Sequence, residues 1–113
     1  MFFERVLIDG KVIYSVELVR ATIKEAEEFK KILTQEIESG TRDLIVDLSF
    51  CEFIDSTFLG ALVVSLKRLL GVNGSMKLCG LKPSVYSMFE LTRMNKVFDI
   101  YDTLDEALKS YSD

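Results

Sequence analysis

Residues 44–60 read LIVDLSFCEFIDSTFLG, and their pattern indicates the class of fold. Residues 44–48 are almost continuously apolar, which is typical of a strand covered on both faces in the middle of a parallel or mixed sheet. A helix is predicted from Ser56 to Leu70, with Gly71 after its end. Because a central strand that leads into a helix is the repeating unit of an α/β protein, strands and helices should alternate along the chain.

The flanking elements follow from turn and capping signals. Asp9-Gly10 favours a tight antiparallel hairpin, and Thr22 with Glu25 has the pattern of a capping box. Pro83 suits the first position of a third helix, where its missing N–H costs nothing. The predicted order is ββαβαβαβα: an α/β sandwich with a mixed sheet and about four helices, forming one domain over residues 1–113. Strands are expected at residues 3–8, 11–18, 44–48, 75–79 and 97–101, and helices at 23–37, 56–70, 83–94 and 104–111.

A helical wheel divides the second helix into two faces. The large apolar residues share the predicted core face: Phe58, Leu59, Leu62, Val63, Leu66, Leu69 and Leu70. The opposite side carries Gly60, Ala61, Val64, Lys67 and Arg68, and Leu91 and Met94 fall outside the core face of the third helix. An apolar patch with a charged rim is typical of a modest docking surface, although single exposed apolar residues are ordinary. The predicted partner-binding residues are Ala61, Val64, Arg68, Leu91 and Met94.

The amino-acid composition restricts the reactions that the chain could catalyse. The 113 residues include 14 Lys and Arg, 18 Asp and Glu, and no histidine. Without histidine there is no imidazole base for a serine or cysteine nucleophile and no imidazole metal ligand, so a hydrolase using Ser56 would lack its base. We expect no enzymatic activity, no metal and no cofactor.

The distribution of charge argues against several partners. Residues 1–98 carry 13 basic and 13 acidic residues, whereas residues 99–113 carry five acidic residues and only Lys109. No basic stripe is available for nucleic acid, and no apolar run approaches the ~20 residues that span a bilayer. We therefore expect a cytoplasmic protein that neither binds nucleic acid nor inserts into a membrane. Cys51 and Cys79 are expected to be reduced core thiols.

Residues 55–60, Asp-Ser-Thr-Phe-Leu-Gly, resemble the Asp-Ser-[Ser/Thr/Ala]-Gly-Leu-Gly signature of the STAS domain family, typified by bacterial anti-sigma factor antagonists. The order of elements is similar to that family's as well, so the resemblance implies a STAS-like sandwich. Two residues depart from the pattern. Phe58 stands in place of the usual Gly, which would put a large ring beside Ser56, and Val19 stands where many members have Asp.

The resemblance implies a phosphorylation switch that regulates transcription. Ser56 would be the phosphorylated residue, with Thr57 as the second choice, in a switch loop of Asp55, Ser56, Thr57, Phe58 and Gly60. The partner would be an anti-sigma factor that is also a serine kinase, bound before phosphorylation and released after it, and a serine phosphatase would restore binding. Two alternatives stay open: a purely structural N-cap role for Asp55 or Ser56, and a sensor that binds a nucleotide or other small anion at the N-terminus of the second helix.

Overall fold

The computed structural model describes residues 2–111 and confirms the predicted α/β class with its mixed sheet. The strands are β1 (Phe3–Ile8), β2 (Lys11–Val16), β3 (Arg20–Ala21), β4 (Asp43–Asp47), β5 (Phe53–Ile54), β6 (Ser75–Cys79) and β7 (Asp99–Tyr101). The α-helices of the described residues are α1 (Ile23–Glu38), α2 (Ser56–Gly71), α3 (Pro83–Leu91) and α4 (Leu104–Lys109).

Five strands form the main sheet in the order β1-β2-β4-β6-β7. β1 and β2 are antiparallel around Asp9 and Gly10, whose φ angles of 51° and 78° are those of a turn that matches the twist of a hairpin. The other neighbouring strands are parallel. β4 is the central strand, as predicted, and its residues 44–46 are completely buried.

The two faces of the sheet support cores of different size. Leu44 and Val46 of β4 belong to the larger core, with residues of α1, α2 and α3. Ile45 faces the opposite way, into a small cluster with Ala107 of α4. This alternation along β4 follows from the two-residue period of a strand, and it explains why the strand is apolar throughout. In residues 2–111 no helix has both the length and the apolar character needed to cross a membrane.

A second, two-stranded sheet was not predicted. β3 and β5 pair in parallel, with Arg20 opposite Phe53 and Ala21 opposite Ile54. Each of these strands leads directly into a helix, so their pairing places the N-termini of α1 and α2 side by side. Strands of two residues are too short to produce a recognisable alternation in the sequence.

Four predicted boundaries were wrong by two or three residues. β2 ends at Val16, two residues before its predicted end, although the Glu17 N–H still donates to the Phe2 carbonyl. α4 ends at Lys109, also two residues before its predicted end. α3 ends at Leu91, because Arg93 takes a left-handed conformation with a φ of 63°. A short 3₁₀ helix at Met94–Lys96 follows and delays the start of β7.

The predicted faces of α2 also need correction. Ala61, expected on the outer side, is only 5% exposed, whereas Leu70, expected in the core, is 59% exposed. A helical wheel contains no information about neighbouring elements, and α2 packs along α1 as well as against the sheet. Contact on two sides rotates the buried arc toward α1 and leaves Leu70 in solvent.

A buried carboxylate joins the end of α1 to the first hairpin. Glu36 accepts hydrogen bonds from Arg5 through both carboxylate oxygens, at 2.8 and 3.0 Å, and from the hydroxyls of Tyr14, at 2.6 Å, and Thr41. The hydrogen bonds from Arg5 outweigh the effect of burial and lower the pKa of Glu36 to about 2, from an ordinary value of 4.5. Burial, followed by the hydrogen bond to Glu36, raises the pKa of Tyr14 to about 12.

Replacing Glu36 should make the fold less stable and less sensitive to acid. The pKa of Glu36 is lower in the folded chain, so its contribution is fully present above about pH 4.5 and is lost as the pH falls toward 2. We expect Glu36→Gln to lower the free energy of unfolding by about 1–3 kcal/mol at neutral pH, because the buried Tyr14 hydroxyl and the half-exposed Arg5 lose their charged acceptor. Urea denaturation across this pH range measures both effects. Glu38→Gln, an exposed site on the same helix, is the control, and equal losses in the two variants would contradict the prediction.

Candidate functional site

The carboxylate of Asp55 lies between the first turns of two helices. Its Oδ1 accepts from the Phe58 N–H and caps α2, while its Oδ2 accepts from the Ile23 N–H at the start of α1, both at 2.8 Å. The Asp55 N–H donates to the Ala21 carbonyl at 3.1 Å, which continues the β3–β5 pairing. Asp55 is therefore the N-cap residue of α2, and Ser56, the other candidate from the sequence, is not.

Ser56 and Thr57 occupy the first two positions of α2, and both are exposed. The first turn of a helix presents N–H groups that have no partner within the helix, and its dipole favours a negative charge nearby. Asp55 uses the N–H of the third position, Phe58. Ser56 and Thr57 are therefore reachable from solvent, at a helix end whose dipole favours a negative charge.

The ring of Phe58 does not lie beside Ser56, and this expectation from the sequence was wrong. Phe58 is completely buried and stacks on Phe29 of α1, with 5.3 Å between ring centroids and 7° between the planes. Phe3 of the first strand continues the stack. A residue at the third helical position points back into the space between α1, α2 and the sheet. The replacement of Gly by Phe thus fills the core and leaves access to Ser56 open.

Exposed apolar side chains flank Asp55 and Ser56 on the side of β3 and β5. Val19, Ile23 and Phe53, here called the docking patch, are 48%, 66% and 37% exposed. Hydrogen bonds made by their backbone groups hold these residues around the site. The Phe53 N–H donates to the Val19 carbonyl, and the Ile23 N–H donates to the Asp55 carboxylate. The Arg20 guanidinium lies 4.2 Å from the centroid of the Phe53 ring. The sequence analysis missed this patch because it did not predict the β3–β5 pair.

The partner-binding residues predicted from the sequence separate into two groups. Val64, Arg68 and Leu91 are exposed, and Leu91 is 82% exposed. Ala61 is buried against α1, and Met94 is half-buried and packs against the main core, so their predicted exposure was wrong. For the accessible residues, a role in binding stays a prediction.

A shallow groove of about 300 Å³ runs between α1 and α2 next to Thr57. The lining of this interhelical groove includes Ala26, Gly60, Ala61, Val64 and Lys30. Gly60 has ordinary helical backbone, and a Cβ added there would meet no atom within 4 Å. The fold therefore does not need a glycine at this position, although a glycine inside a helix lowers stability relative to alanine. Because Gly60 has no side chain, it leaves the interhelical groove open at this position.

The two cysteine side chains are free and buried, as the sequence predicted. Burial raises the pKa of the Cys51 thiol to about 11 and that of the Cys79 thiol to about 12. Both thiols are therefore protonated at neutral pH, and a protonated thiol is a poor nucleophile.

Known proteins resemble this chain in sequence and in fold. The family profile described as STAS domain matches residues 15–107. The anti-sigma-B factor antagonist of Staphylococcus aureus is 32% identical over 84 residues, which are 74% of this chain and 75% of that protein. The crystal structure of an anti-sigma factor antagonist from Mycobacterium paratuberculosis has a TM-score of 0.89 and 25% identity, covering 98% of this chain and 93% of that one.

The anti-sigma factor antagonist SpoIIAA in its unphosphorylated form, at 19% identity and a TM-score of 0.82, covers 96% of this chain and 95% of its own, and shows the same fold. The profile match spans most of the chain and includes the whole of residues 55–60, on which the resemblance was first based. The chain belongs to the STAS domain family.

Proposed function

We propose that this chain is an anti-sigma factor antagonist switched by phosphorylation of Ser56. In its unphosphorylated form it binds an anti-sigma factor that is also a serine kinase, and the sigma factor is thereby released. Phosphorylation of Ser56 by that partner ends the complex, and a serine phosphatase restores it. The chain itself is a binding module and performs no chemistry.

The observation that carries the proposal is the position of Ser56. Its hydroxyl is exposed at the first position of α2, directly beside the docking patch and the Asp55 carboxylate. The names of the relatives support the biological role, since those in Staphylococcus aureus and Mycobacterium paratuberculosis are anti-sigma factor antagonists. SpoIIAA, which shares the fold, has been solved in both unphosphorylated and phosphorylated forms.

The chemistry of the site explains how a phosphate would act. A phosphoserine carries about −1.5 to −2 charges at neutral pH. Both oxygens of Asp55 already accept backbone hydrogen bonds, so the new phosphate would add its charge outside that cap, toward solvent and the docking patch. A partner that covers the apolar patch would then have to remove water from a charged group, which is costly unless the partner supplies matching donors. Phosphorylation therefore weakens binding and leaves the fold in place.

Ser56 should be the residue that accepts phosphate. When the chain is incubated with ATP and an anti-sigma factor of the serine-kinase type from the same organism, intact-mass measurement should show a single added phosphate, and peptide mapping should place it on Ser56. Ser56→Ala should abolish the addition. Thr57→Ala is the matched control, because it removes the neighbouring exposed hydroxyl and should keep the phosphate. Phosphate on another residue, or on Ser56→Ala, would contradict the assignment.

A permanent negative charge at Ser56 should weaken the complex without unfolding the chain. We expect Ser56→Asp to reduce affinity for the anti-sigma factor by at least about tenfold, while its thermal unfolding matches that of the wild type. Gln35→Glu adds the same charge on the exposed surface of α1, about 18 Å along the helix from its start, and should bind normally. Calorimetric titration compares the three proteins, and equal affinities for Ser56→Asp and the wild type would place the interface elsewhere.

Filling the interhelical groove should change stability and binding in opposite directions. Gly60→Ala should raise the free energy of unfolding by about 0.5–1 kcal/mol, because it restricts the unfolded chain and meets no obstacle in the fold. The new methyl group should nevertheless weaken partner binding if the partner enters the interhelical groove. Gly71→Ala, at the end of α2 and equally free of clashes, is the control and should leave binding unchanged. Normal binding by a stabilised Gly60→Ala protein would exclude the interhelical groove from the interface.

A further inference from the structure

The main sheet has two edges, and β1 forms the longer one. β1 pairs with β2 through six consecutive residue pairs, with no bulge and no proline, and no strand of residues 2–111 lies on its other side. β7, at the opposite edge, has only three residues. A long, regular edge strand presents unpaired backbone donors and acceptors and is a template for pairing with another strand. The outer edge of Phe3–Ile8 is here called the free edge.

The hairpin turn determines which backbone groups of β1 point toward the free edge. In a hairpin with a two-residue turn, the residues beside the turn, here Ile8 and Lys11, form a hydrogen-bonded pair, and such pairs alternate with non-hydrogen-bonded pairs. The hydrogen bond from the Glu17 N–H to the Phe2 carbonyl continues this alternation beyond β1. The N–H and C=O groups that point outward belong to Phe3, Arg5 and Leu7. No backbone hydrogen bond to another segment of residues 2–111 uses these groups.

The side chains along the free edge give it little protection. Edge strands are often protected by charged side chains, but the Arg5 guanidinium is already paired with the Glu36 carboxylate. Glu4 is the one charged residue of β1 that has no ionic partner within residues 2–111. Val6 and Leu7 are 40% and 62% exposed. Because neighbouring residues of a strand point to opposite faces, each face of β1 has an exposed apolar side chain.

We propose that the free edge pairs with the free edge of a second copy of this chain, antiparallel and about a two-fold axis at Val6. In this register Arg5 of each copy exchanges backbone hydrogen bonds with Leu7 of the other, which uses the outward groups of both residues. The two Val6 side chains meet on the other face, where an apolar pair stabilises neighbouring strands. Each five-stranded sheet thereby continues into that of the other copy.

The distribution of charge favours a second copy as the occupant. The first hairpin, residues 3–16, carries two acidic and two basic side chains and has no net charge. Two copies can therefore approach along this edge without net repulsion. The excess negative charge of the chain lies in residues 99–113, which begin with β7 at the opposite edge of the sheet.

Charge also selects the register. An axis at Glu4 or at Arg5 would place two identical charges opposite each other, which destabilises paired strands. An axis at Leu7 would leave only Val6 to Ile8 paired. With the axis at Val6, residues 4–8 of both strands are paired, and no like charges lie opposite each other, because Glu4 faces Ile8 and Arg5 faces Leu7.

The helices on the sheet leave room for this pairing. Arg5 bonds to Glu36, in the last turn of α1, whereas Phe3, farther from the axis, stacks on Phe29 with 4.5 Å between ring centroids. Most of α1 therefore lies on the Phe3 side of the two-fold axis. The α1 helix of the second copy lies on the other side of the axis, so the two helices are placed end to end and do not overlap along their length.

Self-association can be measured on the full chain by sedimentation velocity. From about 1 to 500 µM we expect a reversible dimer with a dissociation constant of about 10–100 µM, because two short strands make a small interface. Leu7→Lys places a lysine opposite Arg5 of the other copy and should weaken the dimer by at least about fivefold. Leu70→Lys, on α2, is the matched control, since Leu70 is 59% exposed, and it should dimerise as the wild type does.

Disulfide cross-linking tests the register. The two Val6 residues would form a non-hydrogen-bonded pair with Cα atoms about 4.5 Å apart, a separation that a disulfide can span. Under mild oxidation Val6→Cys should give a covalent dimer. Glu4→Cys, on the same face of β1, should not, because it lies opposite Ile8. The native thiols of Cys51 and Cys79 are buried and should not compete.

Three results would overturn the proposal. They are a monomer at every concentration, equal weakening by Leu7→Lys and Leu70→Lys, and equal cross-linking of Val6→Cys and Glu4→Cys. Because the measurements need neither an anti-sigma factor nor phosphate on Ser56, such a failure is distinct from a failure of the phosphorylation switch.

Discussion

The double hydrogen bond of the Asp55 carboxylate fixes the relative position of α1 and α2, and the rest of the site depends on it. Each oxygen accepts one backbone N–H, and the two donors, Ile23 and Phe58, belong to different helices. The Phe58 donor is partly buried, and leaving it without an acceptor would cost about 1–3 kcal/mol, whereas the Ile23 donor is exposed and its hydrogen bond serves to join the two helix starts. A capping interaction that is usually local is here a tertiary contact between segments 32 residues apart.

Local backbone chemistry made much of the fold predictable. The turn at Asp9-Gly10 needs positive φ angles, the cap at Thr22 needs a side-chain acceptor, and Pro83 needs a position without a required N–H donor. Each of these demands is met by one or two residues and is therefore visible in the sequence. The central position of β4 was visible for a related reason, because only a strand covered on both faces tolerates so many apolar side chains.

The features that could not be predicted all require knowledge of a distant contact. Glu36 looks like the other acidic residues of α1, and its burial is favourable because Arg5 and Tyr14 on the hairpin, together with Thr41, donate to its carboxylate. Ala61 is buried because α1 lies across it, and Phe58 turns inward because Phe29 offers a stacking partner. The location of Ser56 was predicted from the motif, whereas the docking patch beside it depends on a β3–β5 pairing too short to be recognised.

Two interaction energies indicate why a phosphate on Ser56 would change binding and leave the fold unchanged. An anion at an exposed helix N-terminus contributes about 0.3–1 kcal/mol of favourable interaction with the helix dipole, so a phosphate on Ser56 does not threaten α2. Covering an unpaired charge with an apolar partner costs several kcal/mol. Phe58 and the Asp55 cap keep the structural contacts of α2 directed inward, away from the exposed surface at Ser56. Residues 1–98 are neutral overall, so the phosphate would not be added to a surface that already has a large negative charge. The small favourable interaction with the helix dipole and the larger cost of covering the phosphate would together make phosphorylation weaken the complex and spare the fold.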